Sequence, residues 1–205
     1  MPTRTADGTM ISSPEGTPFL SIPKGHTLML DGDHLRQLTS LQVGRGLIRV
    51  AFTTCQPNGE ATDPITLGFL KTGDPLSLEL LRHAWLHLEA LEPTSLLRSA
   101  SSSEDADTVG LSEWTAALLR IQHLSDSEQR LRALIQLLVY RLGNRCGEWY
   151  ELPVRLKHER LAELVNHTRV TVTRHMARWR QAGLIEPGPA GSPWLRFAPH
   201  LIESP

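Results

Sequence analysis

The sequence predicts an α+β chain: a β domain first, then two connecting helices, then a helix-turn-helix followed by a β-hairpin. Three observations carry this. Short apolar runs broken by turn residues fill 19–98, stripes at helical period fill 111–142, and two more helical segments meet at a tight turn within 158–182.

With 205 residues the chain holds one large or two small domains, and 40% hydrophobic content supports a packed core. The net charge of −1 excludes nucleic-acid binding through bulk basicity, so such a contact needs segregated charge. Segregation is present. Residues 58–113 hold ten Asp or Glu against three Lys or Arg, whereas 155–180 hold seven Lys or Arg against two Glu.

Residues 1–17, rich in Thr, Ser, Gly and Pro, are expected to form a flexible leader. The β domain is expected over 18–108. LSIPKGHTLML, HLRQLTSLQVG and GLIRVAFTT read as strands, QPNGE at 56–60 as a turn, and ITLGFLKTGDPLSLELL and WLHLEALEPTSLLRSA as further strands. Alternation over Leu86, Leu88 and Ala90 marks a half-buried strand, and the close spacing of turns predicts an antiparallel sandwich or barrel. SSSEDADT at 101–108 reads as a loop.

Connecting helices are expected over 109–147. Leu111, Trp114, Leu118 and Ile121 recur at steps of three, four and three, a stripe that serves equally as a dimerisation seam or as a face packed on the chain's own β domain. This helix ends near His123, and Ser125 or Asp126 is placed to cap the next, 127–142, which buries Leu131, Leu134, Ile135, Leu138 and Leu142. Gly143, Gly147 and Pro153 then lead into the final domain, which is set at 148–205.

In HERLAELVNHTRVTVTRHMARWRQA, 158–182, Leu161, Ala162, Leu164 and Val165 make one helix face. Asn166 tolerates the left-handed backbone that a sharp interhelical turn requires. Thr168 supplies an N-cap, Val172 and Met176 face the first helix, and Gly183 closes the second. Arg169, Val170, Thr173 and Arg174 lie on the other face, with Arg178 and Arg180 beyond. An Arg in a major groove pairs with a guanine edge, worth roughly 1–3 kcal/mol of discrimination. PGPAGSPWLRF reads as a hairpin wing.

The stretch RLKHERLAELVNHTRVTVTRHMARWRQAGLI resembles the C-terminal winged helix-turn-helix of the Crp/Fnr superfamily of bacterial transcription regulators, and TRVTVTR is similar to the recognition helix of the cyanobacterial global nitrogen regulator. By this resemblance Arg169 and Arg174 read bases, Val170 stands where a relative has glutamate, and Thr168, Thr171 and Thr173 contact phosphates or bases. Arg155, Lys157, His158 and Arg178 complete the expected DNA-contacting set. The resemblance also implies that the β domain is a shortened jelly roll, or double-stranded β-helix. It further implies double-stranded DNA, a second copy of the chain and RNA polymerase as partners. The sequence departs from the pattern at Asn166, where glycine is usual, and at His167 and His175, where apolar residues are usual.

Cyclic-nucleotide-binding members have a Gly-Glu pair followed by an Arg beside Ser or Thr. GDPLSLELLRHAW at 73–85 has Leu78 before Glu79, and Arg82 falls too soon, so cyclic AMP or GMP is not expected. No cofactor is expected, and the effector is not readable. His83 and His87, on a strand, are about 13 Å apart and cannot share an ion. His26 and His34 flank a turn without a metal-ligand pattern, so no metal is expected. Cys55 and Cys146 lack a CxxC spacing and are expected to be buried or half-buried thiols in a reducing compartment. Neither a run of 18 apolar residues nor an apolar leader occurs, which points to the cytoplasm and away from membranes.

The reading is a homodimeric, sequence-specific DNA-binding regulator that does not respond to cyclic nucleotides. The alternative is a degenerate member that partners another regulator, for which Arg169 and Arg174 have no use. No GxSxG, P-loop, HExxH or Cys–His arrangement supports an enzyme.

Overall fold

The computed structural model describes residues 18–31, 40–54, 62–77, 85–98, 110–188 and 194–203. The chain divides into two compact units, Met1–Thr115 and Ala116–Pro205. The expected leader, the turn at 56–60, the loop at 101–108, the segment 78–84 with Leu78, Glu79, Arg82 and His83, and also His34 and Cys55, lie outside the described residues.

Among the described residues, eight antiparallel strands build the first unit: β1 (Pro18–Ile22), β2 (Thr27–Leu30), β3 (Ser40–Arg45), β4 (Leu47–Thr53), β5 (Ile65–Lys71), β6 (Pro75–Ser77), β7 (Trp85–Ala90) and β8 (Thr94–Arg98). Their order, β1-β8-β3-β6 in one sheet and β2-β7-β4-β5 in the other, is that of a jelly roll. Inward positions are apolar, among them Ile48, Val50, Leu86, Leu88 and Leu96, all fully buried. The alternation in β7 arises because side chains of a strand point to opposite faces in turn.

Central strand β4 is covered on both faces. Opposite Ile48 and Val50 it carries Arg49, 3% exposed. Arg49 Nε donates to Thr66 Oγ1 at 2.8 Å and Nη1 to Glu89 Oε2 at 2.8 Å, which compensates a buried charge.

Helix α1 (Leu111–Gln122) begins in this unit. Trp114 stands edge-on to Phe69 with ring centroids 5.4 Å apart, and Thr115 Oγ1 donates to the Leu67 carbonyl. Gly68 makes room for it, since a Cβ there would lie 2.4 Å from Trp114 Cβ. The other residues of the expected stripe are covered as well. Trp114, Leu118 and Ile121 are 2–4% exposed within a single chain, and Leu111 packs against the β core.

In the second unit Asp126 caps α2 (Ser127–Leu142) by accepting from the Gln129 N–H at 2.8 Å. The helix buries the five residues expected and Val139 besides. The linker expected around Gly143 and Gly147 is instead a hairpin, β9 (Asn144–Cys146) and β10 (Trp149–Leu152), which turns on Gly147 at φ 62°. Strands β11 (Ile185–Pro187) and β12 (Leu195–Phe197) join it in the order β11-β12-β10-β9. The wing tip, 189–193, lies outside the described residues. A last helix, α5 (Pro199–Glu203), accepts from Gln136 Nε2 at the Ile202 carbonyl, 3.0 Å. Cys146, expected to be at least half-buried, is exposed on β9, a strand exposed throughout, with Arg196 Nη2 donating to its sulfur at 3.9 Å.

Candidate nucleic-acid interface

Helices α3 (His158–Leu164) and α4 (Arg169–Gln181) form the motif. Asn166 has φ 52°, and beside it His167 N–H donates to the Ala162 carbonyl at 2.9 Å and Asn166 N–H to that of Glu163 at 3.1 Å. This paired pattern ends a helix on one left-handed residue, a place glycine usually fills and asparagine tolerates. Two residues on, Thr168 Oγ1 accepts from the Thr171 N–H at 3.2 Å and lies 3.0 Å from Thr171 Oγ1. Thr168 and Thr171 therefore act first as a cap. Gly183, at φ 69°, ends α4 with the same pair of bonds, from Leu184 to Trp179 and from Gly183 to Arg180.

The inner face of α4 buries Val172, His175, Met176 and Trp179. Trp179 and its anchor escaped the sequence reading, although seven residues from Val172 and three from Met176 continue the apolar stripe. Its Nε1 donates to Glu128 Oε1 at 2.7 Å while Arg178 Nη1 donates to Glu128 Oε2 at 2.9 Å. Ser127 Oγ is 2.9 Å from His175 Nε2, so the first turn of α2 grips α4 at three positions. No local pattern announces a contact between residues about fifty apart. The histidine tolerated at 175 is thus a polar residue with one partner; its Nδ1 is buried 3.7 Å from Glu128 Oε2. Burial lowers its pKa, the charges of Arg178 and Arg174 add to that, and Glu128 and Asp126 oppose it.

The outer face presents Arg169, Val170, Thr173, Arg174, Arg178 and Arg180, all exposed, with Val170 at 76%. Arg169 Nη1 lies 3.3 Å from Glu159 Oε1, an open pair that screens weakly. Arg155 and Lys157 are exposed beside α3, and half-buried His158 has Nδ1 2.9 Å from Thr173 Oγ1. Of the expected DNA-contacting residues, Arg155, Lys157, Arg169, Val170, Thr173 and Arg174 are exposed, while His158 and Thr171 are half-buried. Thr168 and Arg178 are exposed too, but one is engaged as the cap and the other is tied to Glu128.

In the first unit His87 Nε2 is 3.1 Å from Thr53 Oγ1, and burial, then Arg49, lowers its pKa. His26 is exposed. Among the described residues no group of three or more His, Cys, Asp or Glu is placed to hold a metal.

A jelly roll is thus followed by a winged helix-turn-helix whose outward face is cationic. Residues 20–111 match the cyanobacterial CRP family N-terminal domain and 129–191 the Crp-like helix-turn-helix domain. Each unit thus matches a CRP-family model. It is 34% identical over 134 residues to the regulatory protein CysR of Synechococcus elongatus, a match covering 62% of this chain and 64% of that protein. The crystal structure of TTHA1359, a CRP/FNR-family transcriptional regulator of Thermus thermophilus, shares the fold at TM-score 0.61 and 19% identity, covering 90% of this chain and 98% of that one. FixK2 of Bradyrhizobium japonicum does so at 0.60 and 15%, covering 87% and 90%.

Proposed function

We propose that the protein regulates transcription as a homodimer that reads a two-fold symmetric operator with GTA…TAC-like half-sites. The half-site centres are about one helical turn apart, as paired recognition helices require. The observation that carries this reading is the outward face of α4. There a 76% exposed valine lies between Arg169 and Arg174, on a helix whose opposite face is anchored by Trp179 and His175. Arg169 and Arg174 read bases, Val170 offers a surface to a thymine methyl, and Thr173 reads or positions. Arg155, Lys157, His158 and the capping threonines contact the backbone, and RNA polymerase is the further partner.

The β unit takes no cyclic nucleotide in this reading. Its inward positions are apolar, and the Arg49 guanidinium, on the opposite face of β4, is bound to Glu89 and Thr66. For the second copy, the open side of the connecting helices replaces the buried stripe. Leu119 of α1 is 56% exposed, and Tyr140 of α2, 84% exposed, lines a groove of about 630 Å³ with Ala117, Leu124, Ala133, Leu137 and Ile202.

Selection from a random duplex pool, followed by affinities for the selected and scrambled sequences at moderate salt, tests the proposal. A two-fold symmetric consensus bound far above the scrambled duplex is expected. Equal affinity for both overturns it and favours a member that partners another regulator.

A further inference from the structure

We propose that His158 is a proton-linked positioning residue of the DNA interface: it sets the hydrogen-bond polarity of Thr173 and takes up a proton when a phosphate backbone closes on the motif. This rests on the DNA-binding reading and goes beyond it.

His158 is the first residue of α3 and Thr173 lies on the exposed face of α4, so their 2.9 Å contact joins the motif's two helices at the side expected to meet DNA. Charges approach the ring from each neighbouring element. Arg180 and Arg169 come from α4, Arg155 from the segment before α3, and Glu159 from its own helix, where the carboxylate is engaged by Arg169. Lys157 precedes it in the chain. Burial first, then the three arginines in the order Arg180, Arg155, Arg169, lower the pKa of His158. These influences favour the neutral ring in the free protein.

A neutral ring carrying its proton on Nε2 accepts at Nδ1. Thr173 then donates to His158, and its remaining lone pairs face outward, suited to adenine N6–H or cytosine N4–H. A phosphate drawn in by Arg155, Lys157 and Arg169 brings a negative charge that offsets the arginine field and favours the imidazolium. Nδ1–H then donates to Thr173, whose hydroxyl hydrogen is released toward guanine O6 or N7 or thymine O4. One proton thus changes both the charge of the interface and the polarity of a groove-facing hydroxyl.

The test combines nitrogen-resolved NMR titration of His158, free and with a selected duplex, with affinities at pH 6 and pH 8 for wild type, His158→Gln and Thr173→Val. The expected results are an Nε2–H tautomer in the free protein, a pKa that rises on adding duplex, and a gain in affinity from pH 8 to pH 6 that is about three- to tenfold larger in wild type than in His158→Gln. Thr173→Val should keep the proton uptake and lose the pH-dependent change in base preference. Equal pH slopes in wild type and His158→Gln, or a pKa unmoved by duplex, overturn the inference while leaving DNA binding intact. An Nδ1–H tautomer in the free protein overturns the polarity half of it. If His158→Gln does not fold, the wild-type titration and Thr173→Val decide alone. Absence of duplex binding at either pH overturns the functional reading and this inference together.

Discussion

Helices α1 and α4 are nearly the same length, 12 and 13 residues, and each carries an apolar stripe at helical period. In both the stripe is covered by the chain itself: Trp114, Leu118 and Ile121 in one, Val172, Met176 and Trp179 in the other. What differs is the opposite side. That of α4 is cationic and holds the exposed Val170, while that of α1 holds Leu119 beside Ala116 and Arg120. In both helices the apolar period marks the side turned to the chain's own core, and under the proposed function the reverse side meets the partner. For the proposed dimer this places the contact on the Leu119 side of α1.

The sharpest way to break this comparison uses two adjacent leucines. Leu118→Glu puts an unpaired charge into a site 4% exposed and should cost 3 kcal/mol or more, roughly, unfolding the protein without first yielding a stable monomer. Leu119→Glu, at a site 56% exposed, should change stability by about 0.5 kcal/mol or less and instead dissociate the dimer. Sedimentation at micromolar concentration with parallel denaturant titrations separates the two. Folded monomers from Leu118→Glu would restore the buried stripe as a seam. Trp114→Ala should cost about 3–5 kcal/mol, independent of protein concentration, because it empties the space above Gly68 and Phe69.

On α4 the comparison predicts that the exposed arginines are not equivalent. Arg169→Ala and Arg174→Ala should each lose roughly 1–3 kcal/mol on the selected operator and relax preference at one base pair, while Arg155→Ala should weaken all duplexes alike. Arg178→Ala should cost less DNA affinity than either, because its guanidinium is held by Glu128 at 2.9 Å. Base-by-base competition checks this. Four indistinguishable profiles would mean that no arginine reads a base.

Much of this was legible because it is local. The turn at Asn166, the caps at Asp126 and Thr168, the stop at Gly183 and the alternation in β7 each depend on residues within about one turn or one pleat of one another. What was hidden is long-range. The hairpin β9–β10 looked like a linker because its strands are three and four residues long, and it is held by pairing with β12, about fifty residues away. The same distance hid Glu128 as the anchor of Trp179. Whether Trp114 faces its own sheet or another copy depends on Gly68 leaving room, which no period in α1 records.

The turn itself offers a smaller test. Asn166→Ala should destabilise the second unit by about 1–2 kcal/mol, the penalty for a side chain without Asn's local hydrogen bonding at φ 52°, and Asn166→Gly should not. Equal losses in denaturant midpoint would mean that the asparagine side chain, and not the left-handed backbone, holds the turn.

The smallest expected effect is a pH slope from the inner face of α4. His175 is buried, its folded pKa lies below the ordinary 6.5, and burial is the leading cause. The unfolded chain therefore binds a proton in a pH range where the folded one does not. The stability this contributes is complete above about pH 6.5 and is lost as pH falls through the interval down to the depressed folded value. His158 and His87 are shifted the same way and add slopes of the same sign, so only part of the acid sensitivity belongs to His175. His175→Met keeps an apolar group of similar volume between Ser127 and Met176 and cannot be protonated. Its denaturant midpoint should fall less than that of wild type between pH 7.5 and pH 5.5. Parallel curves would show that protonating His175 costs the folded state nothing.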